Sequence, residues 1–223
     1  MIWPFSQPKE PTVAAYLASK PSQRREAKEI RELPIVLLDA ETTGFKIGVD
    51  RLLTLGIIRV QAQQILVESA RSWTVYQEKP ILNEAVKVHG ILPSDTNNGR
   101  PEKEVMLEFL SELQDAIIVG HHIGFDTAVL NEASKRHFRI SIKNRVVDTA
   151  HLAMQELTAF KRTGYVNQRP PTLEELCTHL KMPILERHTA LGDAYTTGLL
   201  FLNLCARISR RLGRPVQLRD LPR

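Results

Sequence analysis

The segment Pro34-Ile-Val-Leu-Leu-Asp39-Ala-Glu41-Thr-Thr-Gly44-Phe45 restricts what this chain can fold into more than any other. Four consecutive apolar residues behind a proline predict a strand covered on both faces, so helices must flank a sheet. Positions i and i+2 of a strand point to one side, and Asp39 and Glu41 therefore converge at the strand's end. Two convergent carboxylates repel unless a cation lies between them, and hard oxygen donors suit Mg2+ or Mn2+. The plain alternative is an exposed acidic pair at a strand end, which the pair taken alone favours.

The rest of the pattern is α/β. Arg51 to Val60 and Gln64 to Tyr76 predict two further strands, and the tight link Gln61-Ala-Gln-Gln64 makes strands one to three an antiparallel meander. Pro101 to Leu113 is an amphipathic helix with proline at its first turn. Ala116 to Gly120 and Arg145 to Asp148 are short strands, each followed by a helix, the first from Asp126 to His137 and the second through Leu157. Thr172 caps a helix to Leu180, and a long helix runs from Thr189 to Arg211. These elements predict a mixed five-stranded sheet, meander plus parallel strands, flanked by helices.

Residues 34–211 form the predicted domain, and 212–223 a short basic tail. Residues 1–33 are divided by Pro4, Pro8, Pro11 and Pro21 and predict a flexible or loosely packed extension. Within it Val13 to Leu17 makes a short helical turn and Ser22 to Leu33 a charged helix with a narrow apolar stripe.

The formal net charge is +5 and the pI about 9.3, unusual around a nest of carboxylates and suited to a polyanionic substrate. Cys177 and Cys205 lack metal-ligand spacing and predict buried, reduced thiols. The start Met1-Ile-Trp-Pro-Phe5 is too short for a signal peptide, and no run of about 18 apolar residues occurs. A soluble, cytoplasmic protein is expected.

Two further clusters bear on chemistry. Gly120-His-His-Ile-Gly-Phe-Asp126 places Asp126 in a helix's first turn, where the dipole favours a carboxylate, beside His121, His122 and Phe125. His188-Thr-Ala-Leu-Gly-Asp193-Ala sets a histidine five positions before an aspartate, which puts the two on nearly opposite helix faces. If Asp193 faces the sheet, His188 must come from the preceding loop, where it suits general-base work near neutral pH. Asp148 reads as the cap of the helix it precedes.

Together the three pieces resemble the DnaQ-like 3′–5′ exonucleases of the DEDD superfamily, in the branch with a histidine in its last motif. Asp39 to Gly44 matches Asp-x-Glu-Thr-Thr-Gly, Phe125-Asp126 ends the second motif, and His188 to Ala194 matches His-x-Ala-x-x-Asp-Ala. Val88-His89-Gly90-Ile91 is similar to the family's short substrate-contacting segment. His122 departs from the pattern, standing where many relatives carry asparagine, and is a candidate to support the metal-holding residues through the one hydrogen bond it can donate.

The resemblance implies a ribonuclease H-like fold and two divalent ions, Mg2+ or Mn2+, held by Asp39, Glu41, Asp126 and Asp193, with His188 as general base. It also implies hydrolysis from the 3′ end of DNA to nucleoside 5′-monophosphates. Thr42, Thr43, Gly44, Phe45, His89 and Phe125 are the candidate substrate contacts, and the loop around Lys161, Arg162 and Arg169 a candidate backbone guide. Two alternatives stand beside this reading: an RNA-trimming exoribonuclease, and a non-catalytic nucleic-acid-binding module on the same fold. A polymerase partner is not favoured, because only Leu212 to Arg223 follows the last helix.

Overall fold

The computed structural model describes residues 10–19, 25–78, 84–161 and 168–222. Its centre is a five-stranded sheet in the order β3-β2-β1-β4-β5. The strands are β1 (Ile35–Thr42), β2 (Leu52–Gln61), β3 (Gln64–Thr74), β4 (Ile117–Gly120) and β5 (Val146–Asp148). The β1–β2 and β2–β3 pairs are antiparallel, while β1–β4 and β4–β5 are parallel. The expected meander plus parallel strands is what forms. Ala62 and Gln63 turn the β2–β3 hairpin with left-handed φ of 49° and 63°, the backbone a two-residue turn requires.

The apolar run of β1 sits at the middle of this sheet and is buried throughout. Alternation divides it between two cores. Ile35 and Leu37 face a cluster with Leu152, Leu176, Leu200, Phe201 and Leu204. Val36 and Leu38 face another with Val13, Tyr16, Val105, Phe109 and Leu130. The helices supplying the first cluster are α5 (Thr149–Glu156), α6 (Leu173–Leu180) and α7 (Ala190–Leu212). Those supplying the second are α1 (Pro11–Ala18), α3 (Glu102–Glu112) and α4 (Gly124–Phe138). A single turn, α2 (Val86–His89), completes the set.

Two expectations about the chain's ends differ from what is found. The described part of the N-terminal extension is packed: α1 lies on α3, and Val13 and Tyr16 are buried. The Tyr16 hydroxyl donates to Asn144 Oδ1 (2.7 Å) and accepts from the Lys143 amide (2.8 Å). The charged helix expected from Ser22 is not formed over its described part, residues 25–33, which makes a turn and the 3-10 segment Ile30–Glu32. Its apolar stripe, too narrow for a helix, instead sends Ile30 and Leu33 into the core beside Val216, Leu218 and Leu221. The basic tail is thereby packed as well. The Ile30 amide donates to Val216 O (2.8 Å), and Arg214 pairs with both Asp220 oxygens at 2.8 Å. Residues 1–9 and 20–24 lie outside the described residues.

Candidate active site

Parallel strands β1 and β4 end on the same edge of the sheet, where open α/β folds bind ligands. Asp39 and Glu41 lie on the face of β1 that carries Leu37, the α7 side. The β1–β2 register slips between Glu41 and Thr42, so the strand ends at the acidic pair. Opposite Asp39 in β2 is Gly56, and a side-chain carbon there would stand 2.4 Å from the Ala190 carbonyl carbon and the Leu191 nitrogen. Only glycine lets the start of α7 come this close to the sheet. Asp193, in the first turn of α7, is thereby carried to β1.

One carboxylate oxygen from each of Asp39, Glu41 and Asp193 lies within 4.8 Å of the others. Asp126, in the first turn of α4, is buried and electrostatically coupled to Asp39 and Glu41 but stands outside that tight group. Burial, then repulsion from Asp126, Glu41 and Asp193, pushes Asp39 well above the usual carboxylate range, with Arg187 opposing. Burial and Asp193 raise Glu41 to about 7. Burial raises Asp126 to about 8, with Glu41 and Asp148 adding to it. Four carboxyl groups that resist carrying their charges together are a site that a cation would discharge. Asp193 Oδ1 is buried with no hydrogen-bond partner, as a ligand oxygen would be. The donor set, all hard oxygens, fits Mg2+ or Mn2+.

His188 comes from the loop before α7, as the spacing requires if Asp193 faces the sheet. It adopts a left-handed φ of 66°, and its amide donates to Asp193 Oδ2 (3.3 Å). Arg187 also reaches that oxygen, with Nη1 at 2.6 Å. Sequence reasoning overlooked Arg187, although its place next to His188 was the available signal.

The candidate substrate contacts divide. Phe45 is 75% exposed, and its ring centroid lies 5.8 Å from that of Phe125. Thr42 and Thr43 are buried: the Thr42 hydroxyl donates to Gly44 O and that of Thr43 to Asp50 Oδ1, both at 2.8 Å. Gly44 leaves room for Asp50, whose carboxylate would stand 2.8 Å from an added side-chain carbon. His89 is 9% exposed and accepts through Nδ1 from the Ile91 amide at 3.0 Å. The His122 ring nitrogen Nε2 lies 3.0 Å from Pro171 O, and its amide donates to Asp148 Oδ1. His121 Nε2 meets the same carbonyl at 3.1 Å, so the histidine pair fastens the segment before α6 to the second motif. Asp148 caps α5 through the Ala150 amide (2.9 Å), as expected. Arg169 is engaged by both oxygens of Glu175 (2.9 and 2.6 Å), and Arg162 lies outside the described residues. Cys177 and Cys205 are buried free thiols.

A family model described as Exonuclease (RNase_T) matches residues 36–201, which span β1 to the middle of α7 and all the acidic residues above. The chain belongs to this exonuclease family. It is 30% identical over 167 residues to the PolC-type DNA polymerase III of Thermotoga maritima, covering 75% of this chain and 11% of that protein. The chain thus spans about a tenth of this polymerase's length. Among solved structures it is similar to Escherichia coli Exonuclease I in complex with a dT13 oligonucleotide, with TM-score 0.67 and 20% identity over 81% of this chain and 42% of that one. It is also similar to the zinc-ion-bound form of the Exonuclease I–single-stranded DNA complex, with TM-score 0.65 and 20% identity over 82% and 42% of the two chains. At these identities the structural likeness speaks for the fold: the exonuclease family's mixed sheet with flanking helices. No helix among the described residues is long and apolar enough to cross a membrane.

Proposed function

We propose that this chain is a divalent-metal-dependent 3′–5′ exonuclease that releases nucleoside 5′-monophosphates from the 3′ end of DNA, single strands foremost. The observation that carries the reading is the convergence of Asp39, Glu41 and Asp193, supported by an Asp193 Oδ1 that is buried without a hydrogen-bond partner. Asp39, Glu41 and Asp193 would hold the ions, with Asp126 on the second. Mg2+ or Mn2+ bound there supplies charge neutralisation at the phosphate and acidifies water. His188 takes the proton of the attacking water from its loop beside Asp193. Phe45 and Phe125, with Ile47 and Val49 exposed on the same loop as Phe45, offer an apolar surface to the terminal nucleotide. Family membership supports exonuclease chemistry, and the Exonuclease I complexes with single-stranded DNA favour that substrate. The PolC-type relatives make a polymerase the partner to test by copurification.

The decisive assay digests 5′-labelled single-stranded and duplex DNA and RNA with Mg2+ or Mn2+. A ladder shortening from the 3′ end and abolished by a chelator supports the reading. Preferential shortening of RNA would move it to an exoribonuclease, and no shortening with either metal would leave a binding module.

A further inference from the structure

Arg187 is a cation placed inside a cation site. Its Nη1 donates to Asp193 Oδ2 at 2.6 Å, and its Nε donates to Glu174 Oε1 on α6 at 3.2 Å. The side chain is 29% exposed, whereas that of Asp193 is 7% exposed. The His188 amide adds a second donor to the same Oδ2 (3.3 Å), leaving Oδ1 buried without a partner. The two oxygens of one carboxylate are therefore sorted, one gripped by the loop and one left free.

Two roles are physically open to such an arginine, and they have opposite signs. A bare positive charge beside a metal site repels the metal, so its removal should tighten metal binding. A donor that fixes the orientation of a ligating carboxylate strengthens binding, and loss of such a partner costs 10–100-fold in metal affinity.

We infer that Arg187 is a positioning residue: with Glu174 as its anchor, it clamps Asp193 Oδ2 so that Oδ1 is presented toward Asp39 and Glu41. The geometry favours this over plain repulsion, because the guanidinium occupies only the oxygen that the His188 amide also holds. The clamp reaches further. Arg187 and His188 are neighbours on one loop and bind one oxygen, so the same contact that aims Asp193 seats the left-handed backbone of His188, a conformation unfavourable for a non-glycine residue. Loop placement and carboxylate orientation thus share one contact. The Leu185 amide, which donates to Thr196 Oγ1 on α7 (3.1 Å), fastens the loop's other side to the same helix.

This inference rests on the proposed assignment of Asp193 as a metal ligand, and its test reads metal binding rather than cleavage. Mn2+ affinity is measured by isothermal titration calorimetry on the full chain for wild type, Arg187→Met, Arg187→Lys and Glu174→Gln, with far-UV circular dichroism and thermal melts checking each fold. Arg187→Met is expected to weaken Mn2+ binding about tenfold or more. Arg187→Lys should recover most of the loss, because one ammonium donor can still hold Oδ2. Glu174→Gln should weaken binding in the same direction by less, and it decides the matter if Arg187→Met does not fold. Affinity equal to or tighter than wild type in Arg187→Met, or in Glu174→Gln if that variant decides, would overturn the clamp. Failure of wild type to bind Mn2+ would instead strike the metal-site assignment itself.

Discussion

At the scale of single residues, His188 and Asp193 show how much a motif's spacing dictates. Five helical positions separate them, too many for a shared face, and the histidine accordingly stands on the loop while the aspartate opens α7. His188→Ala should lower cleavage by about 10²–10⁴-fold while Mn2+ affinity, read by calorimetry, stays within a few-fold. A collapse of affinity instead would make the histidine a ligand. The convergence of Asp39, Glu41 and Asp193 was legible in the sequence, because strand alternation and helix-start positions fix where such side chains go. The roles of Arg187 and Asp50 were not, since a salt bridge and a loop staple depend on the path of a loop that no periodicity describes. At Gly44 the neighbour the structure shows is Asp50, whose carboxylate would stand 2.8 Å from an added side-chain carbon.

At the scale of elements, the site depends on how closely α7 lies on the sheet. Gly56→Ala would put a carbon 2.4 Å from the Ala190 and Leu191 backbone, which cannot yield as a side-chain tip can. The variant should lose about 1–3 kcal/mol in urea unfolding and, with α7 pushed outward, most of its metal affinity; wild-type values for both would refute the close-approach argument. A glycine inside an otherwise apolar strand is itself a sequence signal of close approach, though it does not say what approaches. The packing of the described part of the N-terminal extension is hidden in the sequence for a related reason. Its prolines and charges conceal two anchor residues, Val13 and Tyr16, whose partners lie on α3 and at Asn144, far away in sequence. Tyr16→Ala should cost about 3–5 kcal/mol, by loss of a buried ring together with its hydrogen bonds. An unfolding midpoint unchanged from wild type would mean that α1 contributes nothing to stability.

At the scale of the whole molecule, His121 at the second motif is one group through which pH reaches stability. Burial and the neighbouring His122 hold His121 down from the ordinary 6.5 to about 3. The unfolded chain therefore takes up a proton near pH 6.5 that the folded chain refuses until about pH 3. This group's contribution is intact above pH 6.5 and is lost as pH falls through that window, at up to about 1.4 kcal/mol per pH unit. The raised carboxyls of Glu41 and Asp126 act in the opposite direction over this window, so the group is isolated by difference: between pH 7.5 and about pH 5, urea unfolding of His121→Gln should lose less stability, or gain more, than wild type, and an equal pH change in the two proteins would refute the His121 contribution. The mixed sheet with helices on both faces could be anticipated from the run Ile35 to Leu38 and the short β2–β3 link, because burial on two faces leaves few layer arrangements, whereas the strand order rests on pairings between residues far apart in the chain. The layers share an acidic edge, and the proposed activity rests on it. Digestion of 5′-labelled single-stranded DNA with Mn2+ by wild type, Asp39→Ala and Asp126→Ala tests that most directly. Wild type should shorten the strand from its 3′ end while both variants, folded as wild type by circular dichroism, lose nearly all cleavage. Full activity in either folded variant would contradict the site.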